Sequence, residues 1–278
     1  MARLFREIRL GPADDSRETP LYFVSASPSQ LRTVIEQKMT LDGIGFDGTT
    51  FKNWGRVLRR MKLRRLREQV GFKLTALLTG RAALPTGAHE ILLGDDLEND
   101  PLTYAIYADI LAGRIPVGDL HRVLTLNGVG ETDARSLVSD LRALRPGRGV
   151  RRAYIRMERH ADPQWSIDYA PGIVGCTGAF QIAAALWKEG SIRLEGVVQV
   201  VSNLVSRGVS LGDLGARLDD LARRAILDPN DVETLVARLG PIDLLPPMPD
   251  LTPPDPAWVA AWKRGPERLW TPARFVGE

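Results

Sequence analysis

The part of this sequence best suited to chemistry is a short apolar run that ends in clustered carboxylates. Residues 89–101 have the sequence HEILLGDDLENDP, so Asp95, Asp96 and Asp100 follow a pattern typical of a buried parallel strand. Carboxylate oxygens bind Mg²⁺ in proteins, usually together with water and substrate oxygens. The pattern therefore predicts a magnesium site at a strand end. The structural alternative is a solvated loop that caps a helix beginning at Pro101.

Two further segments carry groups that could bind phosphate. Residues 21–28, LYFVSASP, form a second apolar run that ends in hydroxyl groups, and Lys73 stands at the head of a helical pattern. A phosphoryl group in transfer needs hydrogen-bond donors and a fixed cation. Ligands of open α/β sheets gather beyond the carboxyl ends of parallel strands, so we expect Ser25 and Asp95 to face one crevice. Taken singly, Ser25 could serve only as a helix cap and Lys73 only as an amphipathic-helix lysine.

Together the three segments resemble a known family. Residues 22–28, Lys73 and residues 94–100 are similar to the second, third and fourth motifs of the haloacid-dehalogenase-like (HAD-like) phosphatases. Within that family, the closest likeness is to the phosphatidate phosphatase catalytic-domain group of the actin-patch type. The resemblance covers about residues 18–160. It implies a magnesium-dependent phosphomonoester hydrolase with a phosphorylated small molecule or a phospholipid as substrate.

The resemblance also implies roles for individual residues. The serine segment would bind the phosphoryl oxygens through Ser25, Ala26 and Ser27. Lys73 would bind the same group and act with Ser25 in catalysis by stabilising the phosphorylated intermediate. The metal site would consist of Asp95, Asp96 and Asp100, with Mg²⁺ on the first two and the third orienting Lys73 or the metal's waters.

The sequence departs from the family at its first motif, Asp-x-Asp-x-Thr/Val, which carries the nucleophile and the general acid and base. Asp14 and Asp15 lie in a loop pattern with no apolar run before them, Asp47 comes after the serine segment, and Asp219 lies in a helical pattern. We therefore expect the chain as written to be inactive in covalent transfer. The alternative is a non-catalytic module that binds a phosphorylated ligand or an anionic lipid surface.

Helical and strand patterns alternate up to residue 160, which predicts an α/β fold with a Rossmann-like, three-layer parallel sheet. The missing motif would occupy the central strand, between the Ser25 and Asp95 strands. Either the true start lies upstream of Met1, which we favour, or those two strands pair directly.

The patterns also predict the organisation of the chain. Residues 1–160 would form the HAD-like core, with a last core strand at 153–157. Residues 161–244 would form a helical appendage, and 245–278 a proline-rich tail.

Composition narrows the class of protein. Apolar residues make up 44% of the chain and charged residues 26%, as in soluble globular proteins, and the net charge is +3. No apolar run reaches the roughly 20 residues of a transmembrane helix. The single cysteine, Cys176, suits a reducing compartment, so we expect a cytoplasmic protein. A predicted helix at 54–70 has an arginine-rich face that could contact an anionic membrane surface, whereas nucleic acid is not expected because no aromatic platform accompanies it.

Overall fold

A computed structural model describes residues 1–12, 18–52, 62–85, 87–143, 149–159 and 172–240, without the side chains of 62–67 and 142–143. Within these ranges the chain is a mixed α/β protein, which confirms the α/β part of the predicted fold class. The predicted tail at 245–278 lies outside the described residues. None of the described helices is both long enough and apolar enough to span a membrane.

The strands are β1 Tyr22–Pro28, β2 Gly48–Lys52, β3 Glu90–Asp95, β4 Val150–Arg156 and β5 Ile173–Cys176. The helices of the first half are α1 Ala2–Leu10, α2 Arg32–Leu41, α3 Lys62–Ala82, α4 Asp100–Leu111, α5 Val117–Leu126 and α6 Glu131–Ala143. Those of the second half are α7 Ala179–Lys188, α8 Leu194–Val205, α9 Leu211–Arg223 and α10 Pro229–Leu239.

The described strands form two sheets. In the first, β1 and β2 pair in parallel, with Ser25 opposite Phe51. In the second, the order is β3-β4-β5, and β3 and β4 pair in parallel with Asp95 opposite Arg156. Parallel neighbours need a crossover connection, and α2 supplies one for β1 and β2, while α4 to α6 supply the other. Residues 44–51, whose pattern fits either a short strand or a hairpin, contain most of β2, which pairs in parallel with β1.

Two predictions about element bounds are wrong. The last core strand was expected at 153–157, yet β5 follows it, and its four residues are all buried. So short an apolar run, placed just before a buried helix, cannot be told from that helix by periodicity. The helix predicted to end at Val70 continues to Ala82, so Lys73 lies inside α3 rather than at the head of a helix.

The chain divides into two compact units. One contains the described parts of 22–33 and 48–175, and its apolar core lies between helices α3 to α6 and the strands β3 and β4. Leu74 of α3, Ile106 of α4 and Ile155 of β4 are fully buried there. At Gly71 a Cβ atom would lie 2.1 Å from the backbone oxygen of Gly128, so only glycine allows this approach of α3.

The other unit contains the described parts of 1–21, 34–47 and 176–240. Here α1 and α7 each pack on α8, and α7 is buried along most of its length. Ser210 caps α9 by accepting the Asp213 N–H at 3.0 Å. Asp228 forms a capping box at the start of α10, where it accepts the N–H of Asp231 at 3.0 Å. These caps explain why the helical patterns of this region predicted real helices.

Candidate functional site

A buried lysine is held at the carboxyl end of β3. The Nζ atom of Lys73 lies 2.5 Å from Oε2 of Glu98 and also contacts Oδ1 of Asp100. Lys73 and Asp100 are each only 6% exposed. The structure therefore brings together two residues that the sequence predicted for one site, Lys73 and Asp100. It adds Glu98, which the sequence analysis did not identify.

The charge of this lysine is maintained by its partners. Burial on its own would lower the pKa of Lys73, but the charges and hydrogen bonds of Asp100 and Glu98 outweigh it and hold that pKa above its ordinary value. Burial raises the pKa of Asp100, and the Lys73 ammonium opposes that rise. Lys73 is thus a fixed cation at neutral pH, which is the property that a phosphate-binding group needs.

The close packing of Asp100 on the end of β3 explains the spacing of the acidic segment. Oδ2 of Asp100 accepts the backbone N–H of Asp95 at 3.2 Å. A Cβ atom on Gly94 would lie 2.5 Å from that same oxygen, so a larger residue would displace the aspartate. Tyr104, one turn into α4, donates its hydroxyl to the carbonyl of Leu93 at 2.9 Å. The start of α4 is therefore locked onto the strand end, and Lys73 is held from one side.

Asp95 shapes the turn that joins β3 to α4. Its Oδ1 atom accepts the N–H groups of Leu97 at 3.0 Å and of Glu98 at 3.3 Å. Both bonds go to Oδ1, so within the described part of the chain Oδ2 is the oxygen of Asp95 that can face a ligand. The residue is only half-buried. Asp95 is therefore the carboxylate of this turn best placed for a metal ion.

Asp96 has a different environment. It is 5% exposed, and Oδ1 accepts the Glu158 N–H at 2.6 Å and the Arg159 N–H at 3.0 Å. Oδ2 accepts the Arg159 N–H as well, at 2.9 Å. These bonds tie the end of β3 to the segment that follows β4. The carboxylate thus anchors backbone, and its predicted role as a second metal ligand would require sharing those bonds with a cation.

This arrangement fits a magnesium ion that has one carboxylate of the protein as a ligand. Among the described residues, no three His, Cys, Asp or Glu side chains lie together as a preformed metal cluster. Magnesium, however, is commonly held by one or two carboxylates, with waters and phosphate oxygens as its other ligands. One outward oxygen of Asp95 meets that requirement, whereas Asp100 is committed to Lys73.

The serine segment lies in the other sheet of the same unit. Ser25 stands near the carboxyl end of β1, and its Oγ atom accepts the N–H of Ser27 at 3.2 Å. Ala26 is buried, with 4% exposure. Within the described residues, the side chain of Ser25 therefore makes a local hydrogen bond and makes none with Lys73 or Asp95. The hydroxyl group of Ser25 can also donate one hydrogen bond, for example to a ligand oxygen.

Helix α3 contacts residues at or near the ends of strands in both sheets. It packs against β1, and its Glu68 lies 3.8 Å from Nζ of Lys52, the last residue of β2. Lys73 follows Glu68 by five positions, which is about 7.5 Å along a helix axis. Five positions also rotate the direction of a helical side chain by about 140°, so Glu68 and Lys73 lie on different faces of α3. Convergence of Ser25, Lys73 and Asp95 on one crevice therefore stays a prediction.

A second buried polar cluster lies at the other end of β3 and was missed by the sequence analysis. Glu90 accepts the hydroxyl of Tyr107 at 2.9 Å and lies 3.4 Å from Nη1 of Arg81. Burial raises the pKa of Glu90. Glu90 and Asp95 are five positions apart along the strand, roughly 17 Å. The cluster therefore serves the packing of α3 and α4 on the strand rather than the candidate site.

Comparison of this chain with protein-family models, with curated proteins and with solved structures gave no match. The geometry and charge of the site are therefore the basis for assigning a function.

Proposed function

We propose that this chain is a phosphomonoester-binding domain of the haloacid-dehalogenase-like phosphatase type, similar to the phosphatidate phosphatase catalytic-domain group. The observation that carries the proposal is the buried Lys73, paired with Asp100 immediately beyond the end of a parallel strand. A lysine fixed by an aspartate at such a strand end suits the binding of a phosphoryl group. The proposed ligand is a phosphorylated small molecule or a phospholipid. The proposed location of the protein is the cytoplasm.

The arrangement of strands supports the finer part of the fold assignment. Two parallel pairs, β1-β2 and β3-β4, each have a helical crossover, and α3 makes contacts with both. A Rossmann-like, three-layer sheet would leave this pattern if the strand between β1 and β3 were not among the described residues. That strand is where the family's nucleophilic motif belongs.

Each site residue then has a chemical task. Lys73 neutralises charge on the phosphoryl oxygens, and Asp100 holds its ammonium group in place. Ser25 donates its hydroxyl hydrogen to one of those oxygens. Asp95 would hold Mg²⁺, which when bound supplies further neutralisation of the phosphoryl charge. Asp96 keeps the segment after β4 against the site by its bonds to the backbone of Glu158 and Arg159.

A second candidate is a non-catalytic module that binds a phosphorylated ligand or an anionic lipid surface. It is favoured by one feature of the sequence, since none of the Asp-rich segments in these 278 residues combines the Asp-x-Asp-x-Thr/Val pattern with a preceding strand pattern. Binding and charge neutralisation alone do not replace a positioned nucleophile and its acid and base partner. On either candidate the phosphate-binding groups are the same.

The binding step is tested by calorimetric titration of inorganic phosphate into the protein, with and without Mg²⁺. We expect phosphate to bind, and to bind more tightly with Mg²⁺. Asp95→Asn should lose the magnesium enhancement, because it removes the charge of the outward carboxylate. Asp140→Asn, an exposed position on α6, is the matched control and should behave as the wild type. A wild type that binds no phosphate, or an Asp95→Asn variant with full magnesium enhancement, would contradict the proposal.

Turnover of an aryl phosphate with Mg²⁺ tests whether the chain is an active enzyme. We expect none from the 278-residue chain, because none of its Asp-rich segments matches the nucleophile motif. Robust hydrolysis that Asp95→Asn abolishes would instead establish an enzyme and would place the nucleophile among the other carboxylates of this chain.

A further inference from the structure

We infer that Glu98 occupies the phosphate position on Lys73 in the ligand-free protein and is displaced when a phosphoryl group binds. This inference rests on the proposed function and concerns the regulation of the same site. Glu98 and the phosphoryl group compete for the same hydrogens of the Lys73 ammonium group.

The two carboxylates on Lys73 are not equivalent. The side chain of Asp100 is 9% exposed, whereas that of Glu98 is 39% exposed. Asp100 also accepts the N–H of Asp95 and packs against Gly94, so it cannot withdraw without disturbing the strand end. Glu98 stands in the solvent-facing turn at 96–99. Of the two partners, Glu98 is the one that can leave.

The hydrogen-bond donors of the Lys73 ammonium group suit an exchange of Glu98 for a phosphoryl group. Lys73 has three N–H donors, and its contacts with Glu98 and Asp100 engage its charge from two directions. A carboxylate and a phosphoryl group use the same charge-assisted hydrogen bonds to such a donor. Glu98 contacts Lys73 from the exposed side, and this is the side from which a ligand would arrive.

The charge balance gives the exchange its direction. One ammonium group faces two carboxylates, so the cluster of Lys73, Glu98 and Asp100 has a net charge of −1 when all three are ionised. A phosphoryl group adds further negative charge. Binding is therefore opposed while Glu98 stays in place, and release of Glu98 into solvent removes that opposition. The contact lowers the affinity of the empty site for weak anions.

The test compares phosphate affinity, by calorimetry in the presence of Mg²⁺, between the wild type and Glu98→Gln. The amide keeps the size of the side chain and removes its charge, so we expect roughly fivefold tighter binding, on the scale of a partly exposed ion pair. Glu98→Asp keeps the charge but shortens the reach, and should give an intermediate affinity. The matched control is Glu131→Gln, which removes an exposed carboxylate paired with Arg135 at 2.9 Å and should leave the affinity unchanged.

A second measurement does not depend on phosphate. The pKa of Lys73, followed by the ¹³Cε chemical shift, should be lower in Glu98→Gln than in the wild type, because one of the two carboxylates that raise it is lost. An unchanged pKa would overturn the inference. Loss of folding would lower affinity, so a gain of affinity cannot come from structural damage.

The outcomes for the inference and for the proposed function differ. Tighter binding by Glu98→Gln than by the wild type supports the displacement. A wild type that binds phosphate with the same affinity as Glu98→Gln, or more tightly, overturns the inference and leaves the proposed function standing. Absence of phosphate binding in both proteins overturns both.

Discussion

Removal of the buried cation gives the sharpest test of the site's energetics. Lys73→Met replaces the ammonium group with an apolar end of similar length and leaves the Asp100 carboxylate without its ion-pair partner. Breaking a buried pair by deleting one partner costs about 3–5 kcal/mol of the free energy of unfolding. Asp100→Asn should cost less, about 2 kcal/mol, since Lys73 keeps Glu98 as a second, more exposed partner.

The double variant Lys73→Met, Asp100→Asn removes both charges and should also cost about 2 kcal/mol, so the coupling energy in a double-mutant cycle is expected to be about 3–5 kcal/mol. Equilibrium unfolding in urea, followed by far-ultraviolet circular dichroism, measures all four proteins. The matched control is the exposed pair Lys38 and Asp42, at 2.5 Å, for which the same changes should have no measurable effect.

The pH dependence follows from the same pair. In Lys73→Met the ammonium group no longer opposes the burial that raises the pKa of Asp100, and only the Asp95 N–H still lowers that pKa, so the folded state holds the proton more tightly than the unfolded state does. An acid with a raised pKa in the folded state loses stability as pH rises. The cost of Lys73→Met should therefore be smaller at pH 5 than at pH 8. Additive single effects, or a cost that does not change between these pH values, would refute the buried ion pair.

Two further substitutions test the packing around β3. Gly94→Ala would place a Cβ atom 2.5 Å from Asp100 and should cost about 2 kcal/mol by urea unfolding, whereas Gly80→Ala in α3, where a Cβ atom meets nothing within 4 Å, should stabilise by about 0.5 kcal/mol. Equal effects would contradict the close approach. Tyr107→Phe removes a hydroxyl that donates to buried Glu90 and should cost about 2 kcal/mol while leaving phosphate affinity unchanged. A change of that affinity in calorimetry would show that the cluster belongs to the site.

Local sequence signals were enough to predict the regular elements where end signals were present. Asp228 followed by a proline is a helix-start signal, and α10 runs over Pro229–Leu239. By contrast, the patterns predicted a helix that ends at Val70, whereas α3 continues through Gly71 to Ala82. Glycine is required at position 71 by the close approach of Gly128, a residue far along the chain, so the requirement has no local signal.

The candidate site was predictable in part for a similar reason. The family resemblance implied that Asp100 orients Lys73, and the structure places the two side chains in contact. Glu98 lies in the same acidic segment, but the direction of its side chain depends on the turn that Asp95 holds. The bonds of Asp96 to Glu158 and Arg159 span more than sixty positions of sequence. Contacts set by tertiary structure were therefore the ones that sequence reasoning missed.

The approach of Gly71 to Gly128 has a consequence for the dynamics of the site. With no room for even one carbon atom between the two backbones, α3 has little freedom to slide or rotate near Lys73. Lys73 also stands beside Leu74, a fully buried residue of the core. Displacement of the helix backbone at Lys73 would therefore require opening of the core. The partly exposed side chain of Glu98 is the group that can move, so the site combines a fixed cation with one displaceable carboxylate.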